Sequence, residues 1–235
     1  MDEFVFNNAN AISYFLYGII AILVIWFTSK TIKEILRQKE IENYCKSQNI
    51  AFSKSITNIP IAVKSFNILK FGGKNFYETA MTGNKDNIKY YLFDHRCIIS
   101  YGSRSSQTYY SCVCIFSYNK DIFPKFYLFS KFKNEGFLFG LLKIESPHGI
   151  TFADDIGFSE KIVLQSKQED EVKEYFNQNI RDCFLRNHMD DCCYEGYKNY
   201  FAVSKYGCLK LEERLAFFNK SLKIFQELIQ ESSNS

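Results

Sequence analysis

The sequence has few of the residues that interrupt secondary structure, and it lacks the common catalytic motifs. Its 235 residues include three prolines and one tryptophan, and its first 29 residues contain no lysine or arginine. It contains no phosphate loop, dinucleotide fingerprint, zinc-protease helix or internal repeat. The 24 phenylalanines and 16 tyrosines exclude a disordered tail, because disorder requires low hydrophobicity. We therefore expect a packed domain that binds no cofactor.

The longest apolar run lies near the start of the chain, at residues 11–27. Seventeen helical residues span about 25 Å, close to the hydrocarbon thickness of about 30 Å of a bilayer. A cleaved signal peptide is the alternative, but it requires a basic first segment and a small-residue cleavage site, and neither is present. The run predicts a retained single-pass transmembrane anchor at residues 1–29.

Basic residues follow the apolar run and only acidic residues precede it. We name the four that follow closely, Lys30, Lys33, Arg37 and Lys39, the basic collar. The positive-inside rule then places the N-terminus outside and the rest of the chain in the cytoplasm. Trp26 lies at the end of the run, where an indole ring suits the membrane interface. We predict that Trp26 and the basic collar contact the lipid bilayer.

The excess of positive charge lies beside the predicted anchor. Residues 30–89 contain 11 Lys and Arg against 5 Asp and Glu, whereas residues 90–235 contain 18 against 19. Nucleic-acid binding requires a basic face, but these lysines are interspersed with acids directly after the anchor. The distribution favours attraction to anionic lipid and no nucleic-acid partner.

Eight cysteines permit two interpretations. An even number fits an extracellular disulfide framework. However, some 200 residues beyond the anchor can form a core without disulfides. In a reducing cytosol the same residues behave as small buried apolar groups, and we expect thiols.

The pattern after the anchor predicts an α+β domain with a mostly antiparallel sheet and two C-terminal amphipathic helices. Residues 30–58 form an amphipathic juxtamembrane stalk and linker, and residues 59–235 form the domain. Composition predicts turns at 71–74 and 82–87. Alternating side chains predict strands at 90–101, 107–117, 124–129 and 194–203, with further short strands at 137–144, 150–152 and 162–164. Apolar stripes at helical spacing predict helices at 167–187 and 209–231.

Residues that could carry out chemistry occur in several short patterns. Adjacent strand residues Asp94 and His95 point to opposite faces and cannot form a base–orienter pair. Two thiols share one strand face in the sequence Cys112-Val113-Cys114, which is more typical of buried cysteines than of a redox pair. The remaining candidates are metal-ligand types at 188–193, the loop histidine His148, and the acidic pair Asp154 and Asp155.

The middle of the chain, residues 90–185, resembles a family of uncharacterised bacterial proteins with an N-terminal membrane anchor. The residues that carry the resemblance are 91–94, 102–104, 107–116, 124–128, 158–159 and 163–164, the acidic helix opening, Val172 and Phe176. At 95–97 this chain has His-Arg-Cys where the family has further aromatic and basic residues. The resemblance implies an anchor followed by one α+β domain, and it implies no site residues.

Together these observations predict a membrane-tethered cytoplasmic binding or scaffold module that is not an enzyme. Its expected partners are the lipid bilayer and a protein. The alternative is a membrane-anchored enzyme that uses His95 or the His/Cys/Asp cluster at 188–193. A pocket that gathers such side chains would favour the enzyme, and a shallow apolar surface would favour the binding module.

Overall fold

The structure is a computed structural model, and it describes residues 2–57, 59–64, 66–70, 73–102, 105–130, 149–187, 189 and 191–234. Side chains are described within this set except at 2–16, 61–62 and 233–234. The chain divides into two compact units, Met1–Tyr44 and Cys45–Ser235. The predicted strand at 137–144 lies outside the described residues, as does His148.

The first unit consists of helix α1, which runs through Asp2–Ser47 and continues into the second unit. Within the described part of the chain, no helix combines the length and the apolar character needed to span a membrane. The described side chains of α1 begin at Tyr17, so they include only part of the apolar run at 11–27. The transmembrane span therefore stays a prediction.

The second unit contains an eight-stranded sheet in which every neighbouring pair of strands is antiparallel. Its spatial order is β1-β2-β3-β4-β8-β7-β5-β6. The strands are β1 (Ala51–Ser55), β2 (Lys74–Lys85), β3 (Ile88–Ser100), β4 (Ser106–Ser117), β5 (Phe123–Ser130), β6 (Ile162–Gln165), β7 (Cys192–Lys198) and β8 (Tyr200–Tyr206). This arrangement confirms the α+β class and the antiparallel sheet.

Short helices connect the strands, and one long helix ends the unit. They are α2 (Ile61–Lys64), a 3₁₀ turn (Asn67–Leu69), α3 (Ile156–Lys161), α4 (Glu169–Tyr175), α5 (Gln178–Asn187) and α6 (Leu211–Asn234). Helix α6 corresponds to the helix predicted at 209–231. The predicted helix 167–187 is instead two helices, because the Asn177 side chain accepts a hydrogen bond from the Ile180 N–H (3.1 Å) and starts α5.

The strand predicted at 194–203 is wrong, since this segment forms the hairpin of β7 and β8. Tyr197 pairs with Tyr200, so Lys198 and Asn199 make a two-residue turn. Lys198 has a φ of 57°, which the tight hairpin requires although the sequence has no glycine there. Strand β1 lies within the segment that the sequence analysis assigned to the linker, and it pairs with β2.

The sheet is buried on both faces. On one face, alternate residues of β3 such as Phe93 and Cys97 join a core cluster with Val63, Phe66 and Leu69 from the segment between β1 and β2. On the other face, aromatic rings of the strands meet the rings of helix α6 and of Phe176, which directly follows α4. Phe116 stacks on Phe225 at 5.1 Å, Phe201 stacks on Phe225 at 5.9 Å, and Phe126 meets Phe176 edge to face at 4.9 Å.

Candidate functional site

The residues predicted to contact lipid lie on α1, but they are not equivalent. Trp26 is 63% exposed, and the Lys30 Nζ lies 5.7 Å from the centre of its ring. Arg37 forms a two-bond ion pair with Glu34 on the same helix, at 2.6 Å and 3.0 Å. Because that carboxylate already satisfies the guanidinium, Arg37 is the member of the collar least able to bind a lipid phosphate.

Two threonines follow the apolar run, and both hydroxyls are satisfied within the helix. Thr28 donates to the Val24 carbonyl at 2.8 Å and lies 3.0 Å from the Ile25 carbonyl, while Thr31 donates to Phe27 at 3.0 Å. A hydroxyl bonded to its own backbone does not require water. This part of α1 can therefore lie in an apolar environment without an unsatisfied donor.

His95 does not lie in an open site. Its side chain is 1% exposed, stacks on Tyr77 at 5.4 Å, and shares a 2.9 Å hydrogen bond with Asn75 Oδ1. Burial lowers the pKa of His95 to about 4. A neutral, packed imidazole of this kind is a structural residue of the core and a poor general base at neutral pH.

Seven of the eight cysteines are buried, in surroundings that do not favour a reactive thiolate. No disulfide joins them, seven are buried, and Cys208 is exposed. Burial raises the pKa of Cys114 and of Cys192 well above the ordinary thiol value, and it raises that of Cys193 to about 12. Reactive cysteines require a lowered pKa and exposure. The pair Cys112 and Cys114 is therefore part of the core.

The cluster at 188–193 does not assemble as a site among the described residues. His188 and Asp190 lie outside them. Asp191 pairs with Lys205 at 3.0 Å, and Cys192 and Cys193 begin strand β7 with buried side chains. The part of the chain that the structure describes contains no group of three His, Cys, Asp or Glu side chains placed to hold a metal ion.

The acidic pair Asp154 and Asp155 serves a structural function. Arg181, which is 4% exposed, donates to Asp154 at 2.7 Å and to Asp155 at 3.0 Å. Partial burial acts to raise the pKa of Asp155, but the Phe158 N–H and the guanidinium outweigh it and hold that pKa below its usual value. The guanidinium also lies 4.4 Å from the Phe152 ring. These contacts attach the loop before α3 to helix α5.

A second buried arginine links helix α6 to the sheet. Arg214 is fully buried, donates to the Thr79 carbonyl at 2.9 Å and lies 3.5 Å from the carboxylate of Asp94. Thr79 occupies a bulge of β2 with a φ of 51°, which turns its carbonyl toward the arginine. Asp94 and His95 thus lie on opposite faces, as strand alternation requires.

A buried carboxylate holds the covering segment on the other face of the sheet. Glu195 of β7 is 1% exposed, and its Oε2 accepts a hydrogen bond from the Ile68 N–H at 3.2 Å. Burial raises its pKa to about 7, although the N–H groups of Asn67 and Ile68 oppose that rise. The position of Glu195 at the start of the 3₁₀ turn is that of a capping group.

An open groove of about 640 Å³ lies in the second unit, and sequence reasoning did not predict it. Part of its lining is apolar. Phe123 is 4% exposed and packs edge to face on Tyr175 at 6.0 Å, Ile180 is 1% exposed, and Tyr197 also lines the groove. We call this feature the groove. Its full lining is Asp121, Ile122, Phe123, Pro124, Lys125, Gln168, Glu171, Glu174, Tyr175, Asn177, Ile180, Tyr197, Lys198, Glu231 and Ser232.

Charged side chains of both signs line the groove. Lys125 and Lys198 lie beside Tyr197, with their Nζ atoms 5.9 Å and 5.5 Å from the ring centre. The acidic side chains are Asp121 from the loop before β5, Glu171 and Glu174 from α4, and Glu231 from the end of α6. Charges of both signs beside apolar side chains are the usual composition of a binding surface with a polar rim.

The groove could not be found from sequence because five separate segments build it. They are the start of β5, helix α4, the start of α5, the β7–β8 turn and the end of α6. The alternation at 194–203 predicted one continuous strand, whereas the groove is lined by Tyr197 and Lys198 of a hairpin. A signal was nevertheless available at Asn177, since an asparagine before an apolar helical stripe is a good N-cap.

The comparisons with known proteins give one finding. No protein family and no curated protein matches the chain in sequence. Among solved structures, it is similar to the mycobacterial trehalose monomycolate transport factor A, TtfA, with a TM-score of 0.53 and 11% identity. The match covers 81% of this chain and 91% of TtfA. At that identity the likeness shows the fold alone, so a bacterial protein shares this architecture.

Proposed function

We propose that this chain is a membrane-tethered cytoplasmic binding module, anchored by the N-terminal part of α1, and that it is not an enzyme. The exposed apolar surface of α1 carries the proposal. Large apolar side chains from Tyr17 to Phe27 are between 40% and 69% exposed, and they are Tyr17, Ile19, Ile20, Ile22, Leu23, Val24, Ile25, Trp26 and Phe27. A contiguous apolar surface of this kind is suited to lipid rather than to water.

The chemistry at the end of the run supports the same proposal. The hydroxyls of Thr28 and Thr31 are bonded to the helix backbone, so neither opposes insertion. Lys30 is the first cation of the chain and lies against the ring of Trp26. An aromatic ring beside a long basic side chain is typical of a membrane interface. Their order along the chain favours a cytoplasmic second unit.

The second unit supports binding more than catalysis. His95 is buried with a lowered pKa, and burial raises the pKa of the core cysteines, so these groups lack the properties of a base or a nucleophile. The groove instead combines aromatic side chains with charged ones that could orient a ligand. We place the binding surface there.

Cys208 allows a direct test of the orientation, because it is the exposed cysteine and the other seven are buried. The full chain would be expressed in a bacterial host and treated with a membrane-impermeant maleimide. We expect labelling of Cys208 after the membrane is permeabilised and none on intact spheroplasts. The variant Cys208→Ser should lose the label, which shows that the signal comes from this residue.

A second cysteine tests the other side of the membrane. In the Cys208→Ser background, Asn8→Cys should be labelled on intact spheroplasts. The full chain should also stay in the membrane fraction after alkaline extraction, whereas the chain without residues 1–29 should not. Labelling of Cys208 on intact spheroplasts would overturn the orientation, and release of the full chain by alkali would overturn the anchor.

A further inference from the structure

A row of lysine and tyrosine side chains crosses one end of the sheet, on the face that carries the core cluster. Lys89 of β3 pairs with Ser117 of β4, which pairs in turn with Tyr200 of β8. Tyr200 pairs with Tyr197 of β7, and the Nζ of Lys125 on β5 lies 5.9 Å from the centre of the Tyr197 ring. We call these five residues the lysine–tyrosine row. It spans four strand spacings of about 4.8 Å each, so it is about 19 Å long.

Strand alternation places the whole row on this face, and its rings are not free to stack on a ligand. Tyr197 and Tyr200 are partly buried against the core cluster. The other members of the row each lie two positions from a strand residue of that cluster, and these residues are Tyr91, Ile115 and Tyr127. A nucleobase needs an open aromatic face. The row therefore suits charged and hydrogen-bonding groups more than bases.

The positive charge on this face is not balanced by exposed acidic side chains. Within the described strands β3, β4, β5, β7 and β8, Glu195 is the one acidic residue on this face, and it is 1% exposed. Burial raises the pKa of Glu195, while the positive charges of Lys125 and Lys70 oppose that rise, so both lysines lie near it. Residues 43–77, which include the segment packed on this face, contain five lysines and no acidic residue. Among the described residues, Lys70, Lys89 and Lys125 form no ion pair.

Two neighbouring features narrow the choice of ligand. Lys198 is not counted in the row, because Asp121 adjoins its turn: the Ile122 N–H donates to the Lys198 carbonyl at 3.0 Å. The row also contains no exposed apolar side chain that could insert among lipid chains. Those of the described second unit lie elsewhere, and they are Tyr101, Tyr110, Ile156 and Tyr206. A cationic row of this kind favours a protein segment over a membrane surface.

We infer that the lysine–tyrosine row binds an acidic, extended segment of a protein partner. Carboxylates about six residues apart would meet Lys89 at one end and Lys125 with Lys70 at the other, because an extended chain rises about 3.3 Å per residue. The tyrosine hydroxyls between the two ends can bond to the backbone of the segment. The inference rests on the proposed function only in that the second unit binds a protein. It extends the binding surface from the groove, which shares Lys125 and Tyr197 with the row.

The test uses the full chain in detergent and synthetic peptides as the probe. Each peptide has two glutamates at either end and four polar residues between them. We expect saturable binding that added salt weakens, because screening acts on exposed charges. Peptides with glutamine in place of every glutamate should not bind. Peptides with the four glutamates side by side should bind more weakly, since they cannot reach both ends of the row.

Charge reversal tests where the peptide lies. Lys125→Glu should weaken the best peptide about tenfold, because a favourable charge pair becomes a repulsive one. Lys89→Glu should have a similar effect at the other end. Each variant should prefer a peptide with glutamates at one end and lysines at the other, tested in both orders, over the peptide with glutamates at both ends. The wild type should show the reverse preference. A general loss of structure would not invert the preference.

Two control variants are matched in charge. Lys74→Glu changes an exposed lysine of β2 on the other sheet face, where its Nζ lies 5.5 Å from the centre of the Phe76 ring. Lys220→Glu changes an exposed lysine of α6. Both should leave the affinity for the peptide unchanged.

Four results would overturn the inference. They are no binding above the glutamine peptides, control variants that weaken binding as much as the row variants, an unchanged preference in Lys125→Glu, and tighter binding of a single-stranded oligonucleotide or a short-chain anionic phospholipid that Lys125→Glu abolishes. The last result would assign the row to nucleic acid or to lipid. None of these results depends on whether α1 spans a membrane, so the anchor and the row can fail separately.

Discussion

Replacing Glu195 by glutamine is expected to remove a pH dependence from the stability of the second unit. Burial raises the pKa of this carboxyl from 4.5 to about 7 in the folded chain. The unfolded state therefore ionises at lower pH than the folded state, and stability falls as pH rises from about 4.5 to about 7. The difference 7 − 4.5 = 2.5 units corresponds to about 3 kcal/mol of unfolding free energy at about 1.4 kcal/mol per unit.

Glutamine keeps an oxygen that can accept from the Ile68 N–H but has no proton to lose. Near pH 4.5, Glu195→Gln should have the same unfolding free energy as the wild type. Above pH 7, its unfolding free energy should exceed that of the wild type by up to about 3 kcal/mol. The methionine variant should lose the same pH dependence, but its unfolding free energy should be about 1–3 kcal/mol below that of the glutamine variant at every pH, because it leaves the backbone N–H groups of the 3₁₀ turn unbonded.

The measurement is urea unfolding of the full chain in mild detergent, followed by near-ultraviolet circular dichroism of the tyrosine-rich core. The exposed residue Glu160 provides the control, since Glu160→Gln should leave the pH dependence unchanged. If Glu195→Gln unfolds with the wild-type dependence on pH, the carboxyl does not ionise as the buried geometry requires, and the reasoning fails.

Three further predictions concern other contacts. Asn87 has a φ of 63° in the β2–β3 turn. Asn87→Ala should therefore lower the unfolding free energy by about 1 kcal/mol, whereas Asn87→Gly should not. Equal urea midpoints for the alanine variant and the wild type would refute the backbone strain at this position. Arg214→Met should lower the unfolding free energy by about 3–5 kcal/mol, because Asp94 stays buried without the cation of Arg214. Adding Asp94→Asn should restore more than half of that loss in the same urea assay. If the effects of the two substitutions simply add, the pairing of Arg214 with Asp94 is refuted. A fragment of residues 30–235 should bind anionic vesicles in a flotation assay and be released by salt. Changing the three lysines of the basic collar to glutamine should abolish that binding, whereas Arg37→Gln should barely change it, and an equal effect of the two would contradict the role assigned to the Arg37–Glu34 pair.

The parts of the fold that could be predicted from sequence are those fixed by local pattern. In strands β3 and β4, side chains alternate between the two sheet faces over about a dozen residues, and a polar loop separates the strands. The hairpin predicted from this pattern is confirmed. Helix α6 has an uninterrupted apolar stripe and is also confirmed. The turn predicted at 82–87 is confirmed at Asp86 and Asn87, which connect β2 to β3, whereas residues 82–85 belong to β2.

The parts that could not be predicted depend on single backbone conformations or on distant segments. Lys198 adopts a left-handed φ that its residue type does not suggest, so the β7–β8 hairpin was interpreted as one strand. The bulge at Thr79 and the carbonyl it presents to Arg214 depend on a helix more than a hundred residues away. The groove depends on both kinds of feature. Five distant segments line it, and two of its residues, Tyr197 and Lys198, belong to the hairpin that was not predicted.

The single tryptophan gives the two units separate optical signals. Trp26 is the chain's one indole and lies on α1, while the second unit contains tyrosine and phenylalanine. Fluorescence excited at the red edge of the spectrum therefore reports the surroundings of α1 alone. Quenching by lipids brominated at chosen acyl depths would locate that one ring within a bilayer without any label. Tyrosine signals would report mainly on the second unit, which contains 13 of the 16 tyrosines, so insertion and unfolding could be followed in the same sample.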